Sequence, residues 1–119
     1  MIDLHGKAVY LSGPITNNDL VEVKKSFNSL HNLVNKLGVR SVHNPIYFLT
    51  PSSELSLDKQ GIWEFYMKQS LKNLVQCDII VLMDRYHSSK GARLEKYVAE
   101  QLGIEVIYEK DLHEAKINI

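Results

Sequence analysis

The sequence predicts an α/β fold in which a parallel sheet carries helices on both faces. Short apolar runs bounded by turn residues recur along the chain, and stretches with helical spacing lie between them. The resulting order, β-α-β-α-β-α-β, is the alternation that builds parallel sheets. The 119 residues fit one domain, and right-handed crossovers between parallel strands are nearly obligatory. For so few units the commonest arrangement is flavodoxin-like (Rossmann-like). That is a three-layer sandwich on a central parallel sheet of four to five strands, with the first strand in the middle and the third beside it.

Ala8-Val9-Tyr10-Leu11-Ser12 is an apolar run stopped by Gly13-Pro14, which reads as the first strand and its turn. Thr16 to Asp19 offers helix-capping residues. Leu20, Val23, Phe27, Leu30, Val34 and Leu37 then follow at helical spacing until Gly38. Val39 to His43 alternates and ends at Asn44-Pro45, a second strand. Tyr47 to Gly61 holds Pro51, Ser52, Ser53 and Ser56 without a firm period, and is expected to be a loop over the strand ends. Ile62 to Gln76 is helical again, with Met67, Leu71, Leu74 and Val75 on one face. Asp78 to Met83 reads as a buried third strand. A third helix follows, with Leu94, Val98 and Leu102 spaced four apart and Gly103 closing it. Ile104 to Tyr108 is the fourth strand, and Asp111 to Lys116 a short final helix.

Composition narrows the function classes. A hydrophobic fraction of 45% is ordinary for a globular protein. Fourteen basic and fourteen acidic residues give a formal charge of +0, so neither nucleic acid nor an anionic membrane is an expected partner. Cys77 is the single cysteine, which excludes an intrachain disulfide and points to a reducing, cytoplasmic setting. Met1 to Lys7 lacks the apolar core of a secretory leader, and no apolar run is long enough to span a bilayer.

Sheets of this topology bind ligands in the crevice between the first and third strands, at their C-terminal ends. The loops opening there are Gly13-Pro14-Ile15-Thr16 and Asp84 to Gly91. The second leads into Ser88-Ser89-Lys90-Gly91-Ala92-Arg93-Leu94-Glu95, a strand-to-helix turn. There Ser88 or Ser89 would cap the helix, and Gly91 would let another group approach the backbone. Free N–H groups at a helix start suit an anion such as phosphate, and Glu95, expected in about the first helical turn, could act as nucleophile or base. The plain structural alternative is that Glu95 only complements the helix dipole or completes a capping box.

Other constellations carry less. Neither a GxxxxGK[ST] nor a GxGxxG pattern is present, and none of the five histidines forms HxxxH or pairs with Cys77, so no zinc site is expected. His87 is kept in view because it sits in a crevice loop. Cys77 reads as a small core residue, and Tyr10, Trp63 and Tyr66 as core aromatics by default, with Tyr10 near enough to the crevice for its phenol to meet a carboxylate. Asp78 falls at the sheet end opposite the crevice and reads as a cap or turn residue. Asp84 and Arg85 read as solvated charges at a strand exit.

Tyr10-Leu11-Ser12-Gly13-Pro14-Ile15, Cys77 to Met83, and Ser89 to Glu95 with Ala99 and Gly103, taken in that order, resemble the nucleoside 2-deoxyribosyltransferase superfamily. The likeness is to its small bacterial and phage members, and to the related deoxynucleoside 5'-monophosphate N-glycosidases. The resemblance implies a flavodoxin-like fold over the whole chain and cleavage of a nucleoside or nucleotide N-glycosidic bond. A glutamate, here Glu95, would attack the anomeric carbon, oriented by the first-strand tyrosine, here Tyr10. It further implies that Ser12, Gly13, Pro14, Ile15, Ser89, Gly91 and Arg93 line the sugar and phosphate site. No metal or organic cofactor would be needed, and a neighbouring subunit of a homodimer or larger assembly would complete the pocket.

The departures are specific. The transferases have an aspartate six residues before the nucleophile; here that position is Ser89, as in the monophosphate hydrolases, where the serine helps hold phosphate. Those relatives carry a serine where this chain has Pro14. A second aspartate that assists with the base corresponds to Ser70, and a glycine ahead of the glutamate to Arg93. The expectation is therefore an N-glycosidase, hydrolysing rather than transferring, that prefers a monophosphate. The alternative, favoured by the missing acid at Ser70, is a nucleotide-binding or sensor module without catalysis on the same fold.

Overall fold

The structure is a computed structural model that describes residues 2–15, 18–48 and 57–115. Its sheet has four strands, β1 (Ala8–Ser12), β2 (Ser41–His43), β3 (Ile79–Leu82) and β4 (Glu105–Tyr108), in the order β2-β1-β3-β4. All three pairings are parallel, with Val9 opposite Ile79 and Ser12 opposite Leu82 in the central pair. The helices are α1 (Leu20–Asn35), α2 (Lys59–Leu74) and α3 (Lys90–Gln101). This is the flavodoxin-like α/β sandwich, with β1 and β3 adjacent at its centre.

The central strands read as unbroken apolar runs because both of their faces are covered; every residue of β1 and of β3 is buried. The period of two then sorts side chains between two cores. Val9, Leu11, Ile79, Val81 and Ile107 meet Val23, Phe27, Leu30 and Val34 of α1. Ala8, Tyr10, Ile80 and Leu82 face the other way, onto Leu74 of α2 and Ala99 of α3. At the lower end of the sheet the Asp78 carboxylate accepts the Ala8 N–H at 2.8 Å and lies 3.4 Å from Arg40, so it ties β1 to β3 as a turn residue.

Each helix begins at a capping carboxylate or hydroxyl. Asp19 accepts the Val21 N–H at 2.8 Å, Asp58 the Gly61 N–H at 2.8 Å, and Ser89 the Ala92 N–H at 3.1 Å. Such caps offset the unpaired donors of a first turn, typically by about 1 kcal/mol each. Gly38, just past α1, adopts φ 78, the left-handed conformation that ends helices.

Several expectations need correcting. The Asp58 cap starts α2 at Lys59, three residues before the Ile62 start that spacing suggested. The α3 helix starts at Lys90, so Glu95 lies in its second turn, too deep to be a first-turn dipole partner. The buried face of α3 is Ala92, Glu95 and Ala99, not the Leu94–Val98–Leu102 stripe, and Leu102 is exposed. The final helix is a 3-10 helix over Glu109–Glu114. Of the loop expected over 47–61, Tyr47 lies in a 3-10 turn, Pro45–Phe48, and Lys59 to Gly61 belong to α2. Residues 49–56 of that loop, and the suggested caps Thr16 and Asn17, lie outside the described residues.

Candidate functional site

Tyr10 and Ser12 are two residues apart on β1, so both side chains leave the same face of the sheet, the face covered by α2 and α3. Glu95 comes down to meet them from the buried side of α3. The Tyr10 hydroxyl donates to Glu95 Oε2 at 2.5 Å, and the Ser12 hydroxyl donates to Oε1 at 2.6 Å. These are the short distances of hydroxyls bound to an ionised carboxylate. Glu95 is only 5% exposed, and its exposed edge lines a cleft of about 370 Å³, within the range of small-molecule sites.

Burial and hydrogen bonding pull on Glu95 in opposite directions. Loss of solvent raises its pKa, the Ser12 and Tyr10 hydroxyls lower it, and burial prevails, leaving it at about 7. Tyr10 is pushed well above the usual phenol range, first by burial, then by the Glu95 charge and by its bond to it, while Ser70 acts in the opposite sense. Tyr10 therefore keeps its proton and remains a donor. The arrangement places a carboxyl that ionises near neutrality, held by both oxygens, at the floor of a recess whose other charged lining residues, Lys59, Lys90 and Arg93, are basic.

The cleft walls come mainly from three places, with Pro45, after β2, also in the lining. Gly13 and Ile15 leave the end of β1. Ser88, Ser89, Lys90, Gly91, Ala92 and Arg93 form the approach to α3 and its first turn. Lys59, Gln60, Trp63, Tyr66, Met67 and Ser70 come from α2. Lys90 Nζ sits 3.9 Å from the centre of the Trp63 ring and joins the two helices at the mouth, a cation over an aromatic face. At Gly91 an added Cβ would lie 2.9 Å from Met67 Sδ, so a larger residue there would have to displace that flexible side chain of α2.

A family model described as a domain of unknown function, DUF4406, matches residues 7–108. The chain belongs to the DUF4406 family. Among solved structures it is similar to a 2-deoxyribosyltransferase from the psychrotolerant bacterium Bacillus psychrosaccharolyticus, with a TM-score of 0.63 and 23% identity over 85% of this chain and 70% of that chain. At that identity the likeness is one of fold. No curated protein matches the chain.

The DUF4406 match runs to the last residue of β4 and includes Tyr10, Ser12 and Glu95. Of the residues expected at the site from sequence, Tyr10, Gly13, Ile15, Ser89, Gly91, Arg93 and Glu95 share the cleft. Ser12 does not line it: it is wholly buried behind Glu95. Pro14 turns to a separate hollow on the α1 side, beside Asp19, Glu22, Met83 and Asp84. His87 is exposed and stands edge-on to Tyr86, outside the cleft lining. Cys77 is a buried thiol that burial, with Asp78 nearby, pushes up to about 12, so it carries no thiolate. Among the described residues no group of His, Cys, Asp or Glu could hold a metal ion, and no helix is long and apolar enough to cross a membrane.

Apart from Ser70, the contribution of α2 was missed. Trp63 and Tyr66 were expected in the core, yet they are half-buried and wall the cleft with Met67 and Ser70. Their spacing of three, four and seven residues puts them on one helical face. A stripe of two aromatics, a methionine and a serine is a legible sign of a wall facing a ligand. Lys59 and Gln60 had no such sign, because they were assigned to a loop.

Proposed function

We propose that the protein cleaves the N-glycosidic bond of a nucleotide or nucleoside, with Glu95 as nucleophile and Tyr10 as the group that orients it. The observation that carries this reading is the Glu95 carboxyl, bonded through both oxygens at 2.5 and 2.6 Å and open to the cleft on one edge. Its position at the switch point of the sheet, and the shared fold with a protein named a 2-deoxyribosyltransferase, support it. In the proposed reaction a Glu95 oxygen bonds to the anomeric carbon as the bond to the base breaks and its electron pair leaves with the base. Water then displaces the glutamate, its oxygen bonding to the anomeric carbon as the ester bond breaks, which releases the sugar and regenerates the carboxylate while the proton lost by the water balances the one taken up by the departed base, the two-step route of retaining enzymes. Hydrolysis is the primary reading, and transfer to a second base would use the same intermediate.

Gly13, Ile15, Ser89, Gly91 and Arg93 would surround sugar and phosphate, and Trp63 and Tyr66 would face the base. The ligand would be a small nucleotide, and neither a metal nor an organic cofactor takes part. The working unit would be a homodimer or larger homo-oligomer. One observation favours the second reading, nucleotide binding without turnover. Glu95 is the only carboxylate among the described residues lining the cleft, and the family resemblance puts Ser70 where its members carry an acid that assists with the base, so no other described residue of the lining offers the departing base a carboxylic acid.

Incubating the protein with a panel of nucleosides and their 5'-monophosphates, and assaying free base by chromatography, tests the proposal. Base release is expected from the natural protein. It should fall by several orders of magnitude in Glu95→Gln and Glu95→Ala, as when other catalytic nucleophiles are removed. Binding without release across the panel would favour the sensor reading. Full activity in Glu95→Gln would overturn the nucleophile assignment.

A further inference from the structure

We propose that Ser12 is a positioning residue: together with Tyr10 it grips Glu95 by both oxygens and fixes the plane of the carboxyl, so that its remaining lone pairs face the cleft. The last torsion of a glutamate is soft, with a broad two-fold profile. A single donor on Oε2 would leave the carboxyl free to swing about that contact. A second donor on Oε1, from the same strand and only 2.6 Å away, removes that freedom. Each oxygen of a carboxylate has two lone pairs. Each hydroxyl occupies one, which leaves one per oxygen for an incoming atom.

Ser12 itself is rigidly placed. It pairs with Leu82 at the end of the central ladder, and its C=O accepts the Met83 N–H at 2.9 Å. Gly13, which follows, packs so tightly on Met83 that an added Cβ would lie 2.5 Å from its sulfur. The Ser12 side chain is 0% exposed and lies outside the cleft lining, so its hydroxyl has no ligand to touch and acts only through Glu95. A reacting carboxyl gains most when it is held in the attack geometry beforehand, and a hydroxyl on an inflexible strand end does this.

The role in catalysis rests on the proposed nucleophile; the grip on the carboxyl does not. The titratable and charged groups that share the cleft with Glu95 are Tyr10 from β1, Lys59 and Tyr66 from α2, and Lys90 and Arg93 from α3. Changing Ser12 removes none of them, so any change in the Glu95 titration reports the lost donor. The test is carbon-13 NMR of the glutamate carboxyls across pH, with Glu95→Gln to assign the resonance. Ser12→Ala should move the Glu95 midpoint upward by about one pH unit, the equivalent of one hydrogen bond to a charged group. Ser12→Cys, a weaker donor of similar size, should move it part of the way. It also decides the matter if Ser12→Ala does not fold. Where base release is measurable, the pH–rate profile of Ser12→Ala should shift by the same amount, with kcat lowered more than KM is changed. A wild-type midpoint in the serine variants would overturn the proposal. A natural protein that releases no base would overturn the nucleophile while leaving the titration to judge the grip.

Discussion

Glu95 couples stability to pH through its burial. In the unfolded chain it ionises near an ordinary 4.5; in the folded protein it does so at about 7. The folded state therefore binds the extra proton between these values, and its stability falls as pH rises through that window. The contribution is fully present below about pH 4.5 and lost above about pH 7, a difference of roughly 3 kcal/mol. Glu95→Gln, which has nothing to titrate there, should lack this slope. Denaturant unfolding of both proteins from pH 4 to 8 measures it, and parallel stability curves would contradict the raised pKa. On the proposed function the working form is the carboxylate, so kcat/KM should climb with pH and level off above about 7; a rate that falls over that range would point to the acid form instead. None of this was legible in the hydrophobic pattern. A buried carboxylate counts as polar in any periodicity, which is why the apolar spacing pointed to Leu94, Val98 and Leu102 on a neighbouring face. Glu95 and Tyr10 were marked out by topology and by resemblance.

The N-termini of α2 and α3 converge on one cleft and bring Lys59, Lys90 and Arg93 to its lining, with the partial positive charge of each helix start behind them. Ser89 serves α3 and still has a donor to offer: its oxygen accepts the Ala92 N–H at 3.1 Å, which leaves the hydroxyl hydrogen free to bond an anion. These features predict that a nucleoside 5'-monophosphate binds more tightly than the matching nucleoside, by about a hundredfold, or roughly 3 kcal/mol. They also predict that the preference shrinks with added salt and in Arg93→Ala. Calorimetric titration of one matched pair decides it, and equal affinities would return Ser89 to a helix cap alone. The two central strands were read from sequence almost to the residue, because a run covered on both faces has a strong, short signature, whereas the partly exposed edge strand β2 begins at Ser41, two residues after the Val39 start that alternation suggested. The start of α2 was not, because its first turns serve a cleft. Lys59 and Gln60 carry no apolar spacing, and the half-buried Trp63 and Tyr66 look like core until the fold shows what they face.

At the scale of the whole molecule, the order β2-β1-β3-β4 makes one crevice between the central strands, and the two helices beside it do more than enclose it. They also carry large apolar side chains into solvent: Val75 just past α2 is 52% exposed, and on α3 Tyr97 is 60% and Leu102, at its end, 58% exposed. Isolated exposed apolar residues are ordinary, and α1 on the other face also exposes Leu20, Val21 and Leu33; those of α2 and α3 differ in lying on the two elements that wall the cleft, on the same side of the sheet. Covering them with a second copy would remove apolar surface from water, and closed two-fold assemblies are the commonest way for a chain to do so. The proposed function also calls for a pocket that excludes water around Glu95, which a neighbouring subunit over α2 and α3 would help to provide. The expected state is therefore a homodimer or a larger symmetric assembly by light scattering at micromolar concentration. Tyr97→Glu with Leu102→Lys should shift it toward monomer without unfolding it, since both side chains are solvent-facing. If the reading of the cleft is also right, base release should drop in the same variant even though neither residue lines the cleft. A natural protein that scatters as a monomer would remove the assembly, and the pocket would then have to be closed by the chain itself.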